Sequence, residues 1–190
     1  MTETTGPDLV YPEPRLVVDD LETMPDDGRR YELLDGSLLV SPVPGLRHQK
    51  ITYRLHAVLE RAAPPELEVV GAPFMLKTAA NDELQPDVLV ARAADLTETH
   101  LPVPPVLAVE VLSRSTELHD RNSKKALYER LGVGSYWVID PSVPLLEVHE
   151  LDADGRYRQV AEVGGAEPLD VEHPFPVRIV PAELSRRRAA

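Results

Sequence analysis

Apolar residues in the middle of the chain form a continuous run, then a helically spaced pattern, then a second continuous run. Residues 106–112 are rich enough in β-branched side chains to predict an inner strand. From residue 117 to 131 the apolar positions follow a helical period, which Gly132 ends. Residues 135–140 form the second run. The pattern predicts a strand, a crossover helix and a strand, with the two strands parallel.

Similar patterns predict the remaining elements. Asp35-Gly36 between two short apolar runs is a strong hairpin signal, and the longest helical pattern spans residues 45–63. A polar loop is predicted at 78–84 and an irregular connection at 91–104. Further elements are a short helix at 17–24 and strands at 31–34, 37–40, 67–71, 74–76, 88–90, 145–151, 157–162 and 177–180. The fold class is therefore α/β, a mixed β-sheet flanked by helices with extra antiparallel strands at the C-terminus.

The chain length of 190 residues suits one domain, which we place at residues 15–182. Residues 1–14 are polar and contain prolines, and residues 183–190 are basic, so both are predicted to be flexible tails. The chain has no cysteine, no apolar run of membrane-spanning length and no signal-peptide pattern. We therefore expect a cytoplasmic protein without membrane contact.

Charged residues interrupt the apolar patterns at three points. Glu110 lies inside the first run, where a carboxylate costs several kcal/mol unless a cation or strong donor meets it. Lys124 lies on the helix face that packs on the sheet, together with Asp120 and Tyr128. Asp87 follows Pro86 and stands directly before another apolar run. Two strands and the adjoining helix thus each contribute one charged side chain.

Two interpretations of Asp87, Glu110 and Lys124 follow from these positions. Convergent carboxylates need a cation, and their oxygen atoms favour a hard ion such as Mg²⁺ or Mn²⁺. The three side chains could equally form an internal salt-bridge network without chemical function. Spacing alone leaves both interpretations open.

Four segments together resemble a known family. They are YELLDGSLLVSP (31–42), QPDVLV (85–90), AVEVLSRST (108–116) and DRNSKKALYERLGVGSYWVID (120–140). In these segments the chain resembles the Uma-type restriction-endonuclease family, a branch of the PD-(D/E)XK nuclease superfamily. The resemblance spans about residues 16–180 and is most specific at 106–141. Pro86-Asp87 matches the superfamily's PD, and Glu110 matches its (D/E).

The resemblance implies a restriction-endonuclease-like core and a nuclease activity on DNA. It implies that Asp87 and Glu110 hold Mg²⁺ or Mn²⁺ and that Lys124 assists the attacking water. Leu112 stands where the usual motif has lysine, so this branch carries its lysine on the following helix. Glu32, in the YEL segment, would be a further acidic member of the site; an exposed strand glutamate is the alternative.

Other site candidates have ordinary structural alternatives. Asp120 could hold the Lys124 ammonium or could simply be an acid favoured near a helix N-terminus. Tyr128 is better explained as a packing residue with a satisfied hydroxyl. His48 falls in the apolar stripe of the 45–63 helix, as a hydrogen-bonded core residue or a neighbour of the metal ligands.

Charge complicates the choice of partner. The net charge of −12 repels DNA at long range, although salt screens this repulsion over about 8 Å. The 45–63 helix carries a basic stripe that could follow a phosphate backbone, but a solvated helix face is the commoner explanation of such a stripe. Its members are Arg47, Lys50, Arg54 and Arg61.

Three functions remain. The first is a metal-dependent endonuclease acting on DNA, for which a homodimer would suit double-strand cutting. The second is an inactive nuclease fold that serves as an adaptor or nucleic-acid-binding module, which the acidic charge and Leu112 favour. The third is a nuclease for RNA or a structured nucleic acid.

Overall fold

The structure, a computed structural model, describes residues 8–113 and 116–186. Its helices are α1 (Val18–Leu21), α2 (Leu46–Ala62), α3 (Lys125–Leu131) and α4 (Pro181–Ser185). A 3₁₀ turn covers Ala93–Asp95, and a π-helical segment, His119–Lys124, leads directly into α3. The strands are β1 (Asp8–Val10), β2 (Arg30–Leu34), β3 (Ser37–Ser41), β4 (Leu67–Gly71), β5 (Met75–Ala79), β6 (Asp82–Leu84), β7 (Val88–Arg92), β8 (His100–Leu101), β9 (Leu107–Val111), β10 (Ser135–Asp140), β11 (Leu145–Leu151), β12 (Tyr157–Gly164), β13 (Leu169–Val171) and β14 (Val177–Ile179).

The central sheet has six strands in the order β12-β11-β10-β9-β7-β4. Strands β9 and β10 run parallel, with Val109 opposite Trp137, and the helical segment between them is the crossover. The other neighbouring pairs in this sheet are antiparallel. The predicted α/β class and the parallel strand–helix–strand unit are therefore confirmed.

A second six-stranded sheet has the order β1-β3-β2-β6-β5-β8. Its β2–β3 hairpin turns at Asp35 and Gly36, which both have positive φ angles, of 52° and 72°. Such a turn matches the right-handed twist of the flanking strands, so the Asp-Gly signal was read correctly. Strands β13 and β14 form a small separate sheet.

Side chains on the two faces of the central sheet pack into two different apolar cores. Leu107, Val109 and Val111 pack with residues of α2 in one apolar cluster. Ala108 and Leu112, on the opposite face, pack with α3 and the second sheet. Glu110 belongs to this second face by the alternation of strand side chains. The site described below therefore lies between the two sheets, under the helical segment 119–131.

Gly36 is the tightest turn position, and Gly36→Ala is expected to destabilise the protein by about 2 kcal/mol or more. A left-handed conformation costs a non-glycine residue about 1–2 kcal/mol. At Gly36 an added Cβ would also lie 2.9 Å from the Arg15 Cβ and 3.1 Å from the Leu16 carbonyl oxygen. Gly132→Ala is the matched control, since φ is +80° there and no atom lies within 4 Å of the added Cβ. Equal losses in the free energy of unfolding, measured by chemical denaturation, would contradict the steric argument.

The predicted polar loop at 78–84 is wrong. This segment forms most of the β5–β6 hairpin, and its acidic residues are buried. Asp82 accepts a hydrogen bond from the Asp35 backbone N–H at 2.7 Å and pairs with Arg130 at 3.2 Å. Glu83 pairs with Lys77 at 2.9 Å. Polar residues can occupy a buried strand here because neighbouring elements provide donors and cations.

The predicted tails are also corrected in part. Asp8–Val10, placed in a flexible tail, pair with β3 as an edge strand. At the other end Leu184 is buried in α4, so the tail does not begin at residue 183. Residues 1–7, 114–115 and 187–190 lie outside the described residues, and with them half of each predicted tail. None of the helices in the described ranges has the length and apolar character needed to cross a bilayer.

Candidate active site

Asp87, directly before β7, lies beside Glu110 on the adjacent strand β9. Strands β7 and β9 are antiparallel with Val88 opposite Val109, so the next cross-strand position brings Asp87 against Glu110. Asp87 Oδ2 accepts a hydrogen bond from the Val111 backbone N–H at 2.8 Å. The two residues are only 3% and 2% exposed. Both carboxylates are therefore held rigidly by the sheet and shielded from water.

Lys124 reaches this pair from the helical segment above the sheet. Its Nζ lies 3.1 Å from Glu110 Oε1, 2.9 Å from Glu32 Oε1 and 3.7 Å from Asp120 Oδ1. The residue is 2% exposed. The convergence expected of Asp87, Glu110 and Lys124 is thus present in the structure, while their catalytic role remains a prediction.

Tyrosine hydroxyls fix the helical segment over the site. Tyr128 OH donates a hydrogen bond to Glu110 Oε1 at 2.9 Å, and Tyr136 OH donates to the Asp120 backbone carbonyl at 2.8 Å. Burial and the nearby Glu110 charge raise the pKa of Tyr128 well above its usual value. Tyr128 is therefore a neutral donor that orients Glu110, in addition to the packing role expected for it.

Glu32 is buried, so the exposed strand glutamate is excluded. Its Oε1 accepts a hydrogen bond from the Gln85 backbone N–H at 2.9 Å and also contacts the Lys124 ammonium. Its Oε2 has no hydrogen-bond partner among the described residues. A buried carboxylate oxygen left in this way is available to a ligand.

His48 and Arg30 bind the other carboxylate. His48 Nε2 lies 2.9 Å from Asp87 Oδ2, which places this residue of the α2 stripe beside a candidate metal ligand. Arg30 Nη1 and Nη2 each lie 3.3 Å from Asp87 Oδ1, and Nη1 also donates to the Gln85 carbonyl at 2.7 Å. Asp87 is therefore held from three directions, by α2, β2 and β9.

Arg30 was missed in the sequence because it follows Arg29 and resembles part of an exposed charged turn. A signal was present: Arg30 lies two residues before Glu32 and directly before the strand predicted at 31–34, and residues two apart on a strand share a face. Had Glu32 been assigned to the site, Arg30 would have followed from strand periodicity.

Arg30→Met is expected to lower the free energy of unfolding by about 3–5 kcal/mol, because it leaves the buried Asp87 carboxylate without its fixed cation. Arg29→Met is the matched control. Arg29 is 61% exposed in its side chain, against 14% for Arg30, and pairs with Asp27 at the surface. We expect the control to change stability by about 0.5 kcal/mol or less. Urea denaturation of both variants measures the difference, and similar losses would show that Arg30 does not support Asp87.

Acidic groups outnumber the permanent cations in this site. Four carboxylates, from Glu32, Asp87, Glu110 and Asp120, surround the cations of Arg30 and Lys124. With all four carboxylates ionised, two negative charges would have no permanently charged partner. A divalent cation would supply the charge that is missing.

The pKa values respond to this excess of acid. Burial raises the pKa of Asp87, but the hydrogen bond and charge of His48 and the charge of Arg30 outweigh it, so that the value falls to about 2. Burial raises the pKa of Glu110 well above its usual value and that of Asp120 to about 6, with the Lys124 charge opposing both shifts. Burial lowers the pKa of Lys124, but the charges of Glu110, Glu32 and Asp120 raise it by more. The pKa therefore lies above its usual value, and the ammonium keeps its proton.

These residues suit a small, hard divalent cation. They line a cavity of about 130 Å³, which also includes Ser41, Ser113 and Thr116. In the described part of the chain, no three or more acidic or histidine side chains surround one point in the manner of a complete metal cage. Mg²⁺ does not need such a cage, since it commonly takes one or two carboxylates and keeps several waters. Asp87 and Glu110 could act as the two carboxylates of such a site.

The predicted basic stripe lies outside this cavity. Arg47, Lys50 and Arg54 line a groove of about 420 Å³ between α2 and α4, together with Arg186. Arg54 donates to the Leu184 carbonyl at 2.6 Å, whereas Arg61 turns back to the Ala57 carbonyl. The stripe is thus divided, because Arg61 lines a separate groove of about 210 Å³ that it shares with Arg54 and Glu183.

Comparison with solved structures supports the fold. A crystal structure from Anabaena variabilis, described as a "putative nuclease belonging to DUF820", matches with a TM-score of 0.69 at 17% sequence identity. The match covers 90% of this chain and 97% of the other. At this identity the likeness concerns the fold alone. A comparison with curated proteins gave no significant match.

Comparison with family models covers most of the sequence. The model of the Uma2 family, described as "Putative restriction endonuclease", matches residues 18–184. This range contains every residue of the carboxylate cavity, and it agrees with the resemblance seen in the sequence segments. The chain belongs to the Uma2 restriction-endonuclease family.

Proposed function

We propose that the protein is a metal-dependent endonuclease that hydrolyses phosphodiester bonds in DNA. The observation that carries the proposal is that Asp87, directly before β7, lies beside Glu110 on β9, with the Lys124 ammonium 3.1 Å from Glu110 Oε1. Rigid strands hold the acids and a packed helical segment holds the cation, as a preorganised site requires. Membership of a restriction-endonuclease family supports the same reaction class.

Asp87 and Glu110 would hold Mg²⁺ or Mn²⁺, and Glu32 lines the same cavity. When bound, such an ion lowers the pKa of a water ligand and neutralises charge on a phosphate. His48 and Arg30 keep Asp87 ionised and in place, and Tyr128 orients Glu110. Lys124 Nζ carries a proton and donates to an attacking water or to a phosphate oxygen.

DNA would reach the site in spite of the protein's acidic charge, because positive charge is concentrated locally. The groove of Arg47, Lys50, Arg54 and Arg186 has no acidic residue among its lining residues. Cations in such a groove could follow a phosphate backbone that leads towards the N-terminus of α2, where His48 lies. Binding would therefore depend strongly on salt concentration.

A second candidate function is an inactive nuclease fold that serves as an adaptor. The ion pairs of Lys124 with Glu32, Glu110 and Asp120 favour this adaptor function, since three carboxylates can bind one ammonium without any metal. Such a protein could bind nucleic acid and would not hydrolyse it.

Nicking of supercoiled plasmid in the presence of Mg²⁺ or Mn²⁺ separates the two functions. We expect the wild type to nick the plasmid and Asp87→Ala and Lys124→Ala, purified identically, to be inactive. Equal nicking by all three preparations would indicate a contaminating nuclease. No nicking by wild type under either metal would favour the adaptor.

A further inference from the structure

A large cleft lies directly beside the carboxylate cavity, and the two have part of their walls in common. Its volume is about 590 Å³, and it shares lining residues with the smaller cavity: Arg30, Val43, Pro44, His48 and Asp87. A molecule that fills the inner end of the cleft would therefore lie against Arg30 and His48, which hold Asp87. The small cavity has room for a phosphate and a few waters, whereas the cleft has room for a much larger group.

The walls of the cleft suit a nucleobase. Apolar side chains from α1, the following turn and the β3–α2 connection include Leu21, Met24, Pro25, Val43 and Pro44. Tyr53 extends from α2 with 71% of its surface exposed, and no ring–ring contact occupies it among the described residues. An exposed aromatic ring next to apolar walls offers a stacking surface for a planar base.

Polar groups in the cleft suit the rest of a nucleotide. Gln49 and Gln85 line it with carboxamides, which can both donate to and accept from the edge of a base. Arg29 lies at its margin with an exposed guanidinium that can meet a phosphate. The cleft thus combines a stacking ring, carboxamides and a cation beside a candidate hydrolytic site.

The depth of the site restricts how a nucleic acid can use it. Asp87, Glu110, Lys124 and Glu32 are all buried, so a phosphodiester must enter the cavity to meet them. The neighbouring base would then lie in the cleft. A base in a continuous duplex is paired and stacked, and placing it in a protein pocket requires that it leave the stack.

We propose that the cleft binds one unpaired nucleotide next to the scissile phosphate, so that the preferred substrate is single-stranded or locally unpaired DNA. This inference rests on the proposed endonuclease function and specifies its substrate. It also agrees with the net charge of −12, since a single strand has a lower charge density than a duplex and depends less on phosphate neutralisation.

Binding of a fluorescein-labelled oligothymidylate, followed by fluorescence anisotropy in EDTA, tests the cleft without any turnover. We expect the wild type to bind it more tightly than a hairpin duplex of equal length. Tyr53→Ala is expected to weaken the binding roughly tenfold, as loss of one stacked base does, and Tyr53→Trp to retain it. Tyr11→Ala is the matched control, because Tyr11 is 70% exposed but does not line the cleft.

A 2-aminopurine base in the same oligonucleotide reports stacking directly. Its fluorescence should be quenched by wild type and by Tyr11→Ala, and much less by Tyr53→Ala. Equal affinities of the two alanine variants, or a duplex bound as tightly as the single strand, would overturn the proposal.

Cleavage assays separate failure of the cleft from failure of the endonuclease. If cleavage requires Asp87 but proceeds equally on duplex and single strand and is unchanged in Tyr53→Ala, the cleft proposal fails and the endonuclease stands. If no substrate is cut while single-strand binding still depends on Tyr53, the endonuclease fails and the cleft stands.

Discussion

Asp87→Asn is expected to abolish Mn²⁺ binding and to lower the rate of DNA cleavage by more than about 10³-fold. Removing one positioned charge near a transition state typically costs about 10²–10³ in rate, and removing a metal ligand should cost more because the ion is lost with it. Asparagine has nearly the shape of aspartate, so the hydrogen bond from the Val111 N–H can persist. Isothermal calorimetry with Mn²⁺ and a plasmid assay measure the two effects.

Asp82→Asn is the control for this experiment. Asp82 is also a buried carboxylate that pairs with a backbone N–H and an arginine, but it does not line the carboxylate cavity. We expect Asp82→Asn to bind Mn²⁺ as the wild type does. Loss of Mn²⁺ binding in both variants would mean that the effect comes from disturbed folding, and retention in both would exclude Asp87 as a ligand.

Lys124→Met should have the second largest effect, on both stability and activity. Without the ammonium, Glu32, Glu110 and Asp120 remain buried and lose the ion-pair partner that all three share. Breaking a buried pair in this way costs about 3–5 kcal/mol of unfolding free energy. The cleavage rate should fall by about 10²–10³-fold, because a donor to the reacting groups is also lost.

Two further variants separate the roles of Lys124. Lys125→Met removes the adjacent ammonium, for which no ion pair is found in the described residues, and should change neither property appreciably. Combining Lys124→Met with Glu32→Gln removes one unpaired carboxylate and should restore part of the stability without restoring cleavage. If the double variant regains both stability and cleavage, Lys124 acts only as a structural counter-ion.

Sequence patterns predicted the fold best where a segment is strongly periodic and its environment is simple. The apolar runs of β9 and β10 and the 17 residues of α2 are examples. Buried polar segments were harder to predict from the sequence. Asp82 and Glu83 resemble loop residues, and only the positions of Arg130 and Lys77 in the fold explain why they can be buried. The second six-stranded sheet depends on such contacts between distant segments, and the sequence alone does not specify them.

The candidate site likewise contains residues that sequence patterns predicted and residues whose contacts depend on the tertiary fold. Helical spacing placed Lys124, Asp120 and Tyr128 on the buried face, and all three are buried, although the π-helical form of residues 119–124 was not expected. Asp87 and Glu110 stood out because each is a charge next to an apolar run. Strand periodicity can place Arg30 on the same face as Glu32, but the contacts of Arg30 and His48 with Asp87 depend on how β2 and α2 meet the start of β7, which no local pattern encodes.

Diffraction from crystals soaked in Mn²⁺ tests the central claim most directly, because the anomalous signal locates the ion without any assumption about activity. We predict a peak within about 2–2.5 Å of a carboxylate oxygen of both Asp87 and Glu110, with Lys124 Nζ still beside Glu110. If no manganese is bound in the cavity and Lys124 keeps its contacts with the carboxylates, the proposed metal site is contradicted and the adaptor function is favoured.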